Sequence, residues 1–144
     1  MSFSQRIQRG QPEYRVANFK NGEASTAITL GQPVCYDYTT AADGFTVKLP
    51  VTANLQFPAG LVAQASIAGG DYGQVCTGGH FASAAVLGTT AVAVNDPLVI
   101  SNGLTTLSKA TLVTNAVGQF KPCFVAGAAQ AVTGPVAIKV QVNC

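Results

Sequence analysis

The chain has 144 residues, of which 48% are hydrophobic and only 10% charged, with a net charge of +2. One domain with a sizeable core fits this length, and no apolar run approaches the ~18 uninterrupted residues a membrane helix needs. Soluble domains carry roughly 25% charged residues, so this surface is mostly uncharged, and such surfaces tend to associate because little repulsion keeps copies apart.

Residues 1–26 are polar and irregular, and Gly10, Pro12 and Gly22 interrupt any helix. They read as an extended arm that orders on a partner. The arm carries Arg6, Arg9, Arg15 and Lys20 against Glu13 and Glu23, so it holds the whole charge imbalance; the remaining lysines and aspartates cancel. Scattered cations do not make a nucleic-acid patch, but they are candidates for meeting an acidic protein surface. Met1–Gly10 lacks the apolar core of a secretory signal, so synthesis in the cytoplasm is expected.

From Ala27 the pattern becomes β-like, and residues 27–144 read as a single β-domain. Ala27–Leu30 leads to a Gly31-Gln32-Pro33 turn, and Val34–Thr40 is rich in aromatic and β-branched residues. Asp43-Gly44 supplies the positive φ of a hairpin turn, and Phe45–Leu49 alternates as a half-buried strand does. Strands are predicted at 55–57, 60–65 and 74–77, the last ended by Gly78-Gly79. The second half offers 91–94, 98–101, an Asn102-Gly103 turn, 104–107, 120–126 and an alternating run at 136–142. No helix is predicted, although 82–87 and 126–132 are Ala-rich enough for one helical turn.

Four markers recur in order: Pro33 with Pro97, Gly44 with Gly103, Pro58 with Pro122, and Gly73 with Gly134, each separated by 59–64 residues. This spacing suggests a duplicated β unit; chance among frequent Gly and Pro is the alternative. Short strands with turns every 8–12 residues point to an all-β sandwich or barrel-like domain carrying an internal two-fold repeat and an N-terminal arm.

Reactive groups are few. His80 is the only histidine, so it has no second histidine with which to share a metal, and it reads as a surface residue at a strand end. Asp43, Asp71 and Asp96 lie in turn sequences, where Asp bonds its own backbone; a glycosidase-type pair would need Asp37 with another of the dispersed acids. Gly69-Gly70 and Gly78-Gly79 lack the Lys-Ser/Thr or helix start of a phosphate loop. Tyr36 and Tyr38 lie two apart and share a face; with Tyr14 and Tyr72 they could form an aromatic platform. Cys35, Cys76, Cys123 and Cys144 show no CxxC, and free, packed thiols are the expectation for a cytoplasmic chain. No catalytic set, metal site, cofactor or small-molecule substrate is therefore expected.

Several of these runs together resemble a family. Gly31-Gln32-Pro33-Val34, Asp43–Val47, Phe57–Ala63, and Ala68–Val75 with Gly78-Gly79 are similar to the β-hairpin order of the small capsid cement proteins of tailed phages. Asn95–Val99, Asn102–Leu104 and the strands from 122 to 142 continue the likeness, which covers roughly residues 27–142 and rests mostly on turn glycines. The resemblance implies a non-enzymatic virion protein on the outer capsid surface. It would stabilise the head by bridging major capsid protein subunits, as a homo-oligomer with a trimer favoured over a dimer. It implies no nucleic acid, membrane or small-molecule partner. Arg6, Arg9, Arg15 and Lys20 would be capsid contacts, and removing residues 2–20 would abolish attachment while leaving a folded domain. Rival readings are another phage structural component (tail, fibre or coat) and a carbohydrate-binding β-sandwich.

Overall fold

The computed structural model describes residues 14–88, 90–110, 123–131 and 133–144. In chain order its strands are β1 (Tyr14–Asn21), β2 (Ile28–Thr29), β3 (Pro33–Tyr36), β4 (Thr46–Lys48), β5 (Pro58–Val62) and β6 (Ser66–Ile67). They continue with β7 (Tyr72–Gly88), β8 (Pro97–Ile100), β9 (Leu107–Lys109), β10 (Phe124–Ala126) and β11 (Thr133–Asn143). The chain is all-β, with no helix among the described residues. The Ala-rich segment 82–87 lies inside β7, where Ala84 and Val86 point inward and Ala82 outward.

The 17-residue strand β7 organises everything else. Its first half closes a five-stranded ring in the order β1-β4-β3-β5-β7, because β7 also pairs with β1. Its second half closes another ring, β7-β11-β10-β8-β9, because β7 also pairs with β9. Both rings share one pattern. β1 is antiparallel to β7 and parallel to β4; the second half of β7 is antiparallel to β11 and parallel to β9. Closing each sheet removes the exposed edges that would otherwise template aggregation.

The duplication extends to single hydrogen bonds. Gln32 N–H donates to Thr29 at 3.1 Å, and Asp96 N–H donates to Ala93 at 3.1 Å. Gly31 N–H donates to Val62 at 2.9 Å, and Asn95 N–H to Ala126 at 2.8 Å. Gly31 has φ 81° and its counterpart Asn95 has φ 71°. The small β2–β6 ladder, Ile28 opposite Ile67, returns as a single bridge between Val92 and Gln130. These pairs sit 63 or 64 positions apart in the numbering, so the repeat is real. The marker pair Gly73 and Gly134 does not correspond: the register places Val75 opposite Val62 and Val140 opposite Ala126, making Val140 the counterpart of Val75. Pro122 lies outside the described residues.

Each ring holds its own core. Phe19, Val34, Val47, Val62 and Val75 fill ring 1, and Val86, Leu98, Leu107, Phe124 and Val140 fill ring 2. Burying each such side chain contributes about 1.5–3 kcal/mol.

Three expectations are corrected. Residues 14–26 are not a free arm: Tyr14–Asn21 is β1, a wall of ring 1, and only residues 1–13 of the expected arm lie outside the described residues. Asn21 explains the misreading, because a polar residue occupies an inward position. It is fully buried, its Nδ2 donates to Thr26 and Ile67 carbonyls at 2.9 Å each, and its Oδ1 accepts from Glu23 N–H at 3.0 Å. Second, Gly78-Gly79 does not end a strand. β7 runs through it with β1 on one side and β11 on the other. Third, Cys123 and Cys144 form a disulfide across 4.9 Å between Cα atoms, because Phe124 pairs with Val142 and brings the flanking cysteines together. Cys35 and Cys76 are free and buried, as expected.

Candidate interaction surface

Ring 1 carries a ladder of aromatic rings from its core to its surface. Phe19 in the core meets Tyr36 edge-on at 5.6 Å, Tyr36 stacks on Tyr38 at 5.6 Å, and Tyr38 meets Phe57 edge-on at 4.8 Å. The outer two rings are exposed, Tyr38 by 44% and Phe57 by 41%. A second pair, Phe45 and Tyr72, stacks at 6.3 Å near the start of β4 and β7. Aromatic side chains held rigidly at a surface lose little entropy on contact, which makes them efficient binding groups.

Carboxylates fix the turns that present these rings. Asp37 is 2% exposed. Its Oδ1 accepts from Thr39 Oγ1 at 2.8 Å and from the Thr39 and Thr40 N–H groups at 3.2 and 3.1 Å; its Oδ2 accepts from Thr40 Oγ1. Lys48 Nζ pairs with the same carboxylate at 3.0 Å. Burial alone pushes the Asp37 carboxyl upward, but the bonds from Thr40, Lys48 and Thr39 outweigh it and hold the group well below the usual carboxylate range. Asp43 does the same for Phe45: Oδ1 accepts from Phe45 N–H at 2.9 Å and Thr46 N–H at 2.8 Å, and Oδ2 from Thr46 Oγ1 at 2.7 Å. The Asp-x-Thr-Thr and Asp-Gly-x-Thr spacings are the local signal for both turns.

Asp37 sets a pH dependence. Its folded pKa lies below its unfolded value of about 3.9, so its stabilisation is present above that value and is lost as pH falls through it toward the folded pKa. Asp37→Asn is expected to cost about 1–3 kcal/mol at neutral pH and to flatten the acid limb below roughly pH 5. Thermal melts of both proteins from pH 7 to pH 3 test this; parallel curves would sink it.

The residues singled out by sequence are dispersed. Arg6 and Arg9 lie outside the described residues. Arg15 and Lys20 sit on β1 rather than on an arm. The Arg15 guanidinium lies over β7, where a Cβ on Gly78 would come within 2.5 Å of it. Lys20 borders a shallow recess with Glu23, Asp37 and Asp43. His80 is exposed in the middle of β7, opposite Gln141 of β11, not at a strand end. Asp96 accepts from Ala93 N–H at 2.7 Å and pairs with Lys109 at 2.7 Å. Glu23 accepts from Leu49 N–H at 3.1 Å. Among the described residues no group of three His, Cys, Asp or Glu side chains could hold a metal ion. Tyr36 and Tyr38 share a face as their spacing implies, although Tyr38 belongs to the turn after β3. Phe57 was not foreseen, since only the fold brings it against Tyr38.

No protein-family model and no curated protein matches this chain.

Proposed function

We propose that this protein is a structural subunit that attaches to the outer surface of a tailed-phage head and stabilises it by bridging major capsid protein subunits, acting through contact area and not through chemistry. The observation that carries the reading is the exposed aromatic set on ring 1, held on turns that Asp37 and Asp43 lock. The Asp37 and Asp43 carboxylates are engaged by the hydroxyls and N–H groups of those turns. The charge-poor surface fits permanent burial in an assembly, and multiple copies per lattice turn modest contacts into tight attachment. On this reading the protein is made in the host cytoplasm and resides on the virion.

The test is co-sedimentation of the purified protein with expanded heads. Saturable binding that raises the heads' resistance to disruption is expected; protein that stays in the supernatant at saturating input sinks the reading. The contribution of the N-terminal residues is tested by removing only 2–12. Removing 2–20 would take out most of β1 and unfold ring 1, so it does not isolate an arm. The truncated protein is expected to keep its melting temperature within a few degrees and to bind heads at least tenfold more weakly.

A carbohydrate-binding function is favoured by one observation, the stack of Tyr36 on the exposed Tyr38. Glycan-array binding lost in Tyr38→Ser would move the assignment there.

A further inference from the structure

Two Asn-Gly pairs occur in the chain, Asn21-Gly22 and Asn102-Gly103, and the fold treats them in opposite ways. In such a pair the glycine amide nitrogen, once it has given up its proton, can attack the carbon of the asparagine side-chain amide. Glycine has no side chain to block the approach. A bond forms between Gly N and Asn Cγ, the bond from Cγ to Nδ2 breaks, and ammonia leaves with the proton. Water then opens the five-membered imide at either carbonyl, giving aspartate or isoaspartate. Solvent water is the only co-reactant and no atom changes oxidation state. What the reaction needs is an asparagine side chain free to turn onto the next nitrogen, and a nitrogen free to receive it.

Asn21-Gly22 has neither freedom. Asn21 is fully buried. Its Nδ2 donates to the Thr26 and Ile67 carbonyls, and its Oδ1 accepts from Glu23 N–H. Gly22 N–H donates to the carbonyl of Val47, a ring 1 core residue, at 2.8 Å. Turning the amide would break these bonds together and leave polar groups unpaired inside the ring.

Asn102-Gly103 lies in the connection between β8 and β9. Both residues are exposed, and among the described residues nothing hydrogen-bonds the Asn102 side chain. Gly103 takes φ 70°, and nothing lies within 4 Å of the place a Cβ would occupy, so the turn has room to rearrange. One bond engages the nucleophile: Gly103 N–H donates to the Pro50 carbonyl at 3.0 Å. Opening that bond is a local event at a surface turn and does not require the rings to unfold.

We infer that Asn102 is a site of self-modification in the folded protein, converting to aspartate and isoaspartate while Asn21 survives. The conversion is independent of what the protein attaches to. Its structural consequence follows from the Pro50 bond, which ties the β8–β9 connection of ring 2 to the β4–β5 connection of ring 1. Isoaspartate routes the main chain through Cβ, one methylene longer, and so displaces the Gly103 N–H that makes this tie. Either product also adds one negative charge to a chain whose net charge is +2.

The full chain is incubated folded in mildly alkaline buffer and, in parallel, unfolded in urea. Peptide mapping by mass spectrometry then follows the amide-to-acid change at each asparagine. In the folded protein conversion is expected to be at least tenfold faster at Asn102 than at Asn21, and in urea the two rates should be similar. Equal rates in the folded protein overturn the inference, and so does an Asn102 as inert as Asn21. A second measurement tests the tie between rings. Asn102→Asp adds the charge without lengthening the chain and should melt within a few degrees of the wild type. The isoaspartate form, separated by ion exchange, should melt below Asn102→Asp; an equal melting temperature would show that the displaced bond holds nothing together.

Discussion

Gly31→Ala is expected to destabilise the protein by at least about 4 kcal/mol, a size reserved for a few specific mechanisms, and to lower its melting temperature by more than about 10 °C. Two costs coincide at this residue. Its φ of 81° lies in the left-handed region, where a side chain costs about 1–2 kcal/mol. A Cβ there would also lie 2.0 Å from the Ser83 carbonyl oxygen and 2.9 Å from Ala85 N. Those are backbone atoms of β7, the strand both rings share, so nothing can swing aside. Relief would require the Gly31 turn to leave β7, losing the Ala85 N–H bond to the Gly31 carbonyl and uncovering Leu61 and Cys76. The matched control is Gly103→Ala, at φ 70° with nothing within 4 Å of the added carbon. That change pays the conformational cost alone, about 1–2 kcal/mol. Circular-dichroism melts of both variants separate the two costs; equal shifts would show that β7 does not pass close over Gly31. Asn95, the counterpart of Gly31 in ring 2, carries a side chain at φ 71° and is exposed.

What could be read from the sequence was what local chemistry determines. Asp43-Gly44 and Asn102-Gly103 fall in turns, with Gly44 at φ 76° and Gly103 at φ 70°, because only glycine adopts that backbone without cost. The repeat showed through Pro33 and Pro97, each the first residue of its strand, where a missing N–H is tolerated. Long-range pairing was hidden. β1 looked like a polar arm because most of its residues are exposed and one of its inward positions is Asn21, whose bonds are made to residues as far along as Ile67. β7 was cut short at Gly78-Gly79 because glycine usually ends a strand, whereas here two strands hold it from both sides. The same split holds at the surface. Spacing placed Tyr36 and Tyr38 together, but only the β3–β5 pairing sets Phe57 beside them.

Removing the Cys123–Cys144 link is expected to cost about 3 kcal/mol, the chain-entropy value for a loop of this length, or roughly 6–12 °C in melting temperature. The 21-residue separation is moderate, but the position matters more. β11 is the last strand, and it closes ring 2 by pairing with both β7 and β10. Asn143 N–H donates to the Cys123 carbonyl at 2.7 Å, so the disulfide ties the far end of β11 to the start of β10. Cys123→Ser should melt at the same lower temperature with or without reductant, while the wild type should fall to that temperature only when reduced. A wild type indifferent to reductant would show the bond to be irrelevant. Thiol counting tests the pairing separately. Cys35 and Cys76 are buried, and burial pushes the Cys35 thiol up to about 12, so the native protein should offer no fast-reacting thiolate. Denaturation without reductant should reveal two thiols and with reductant four.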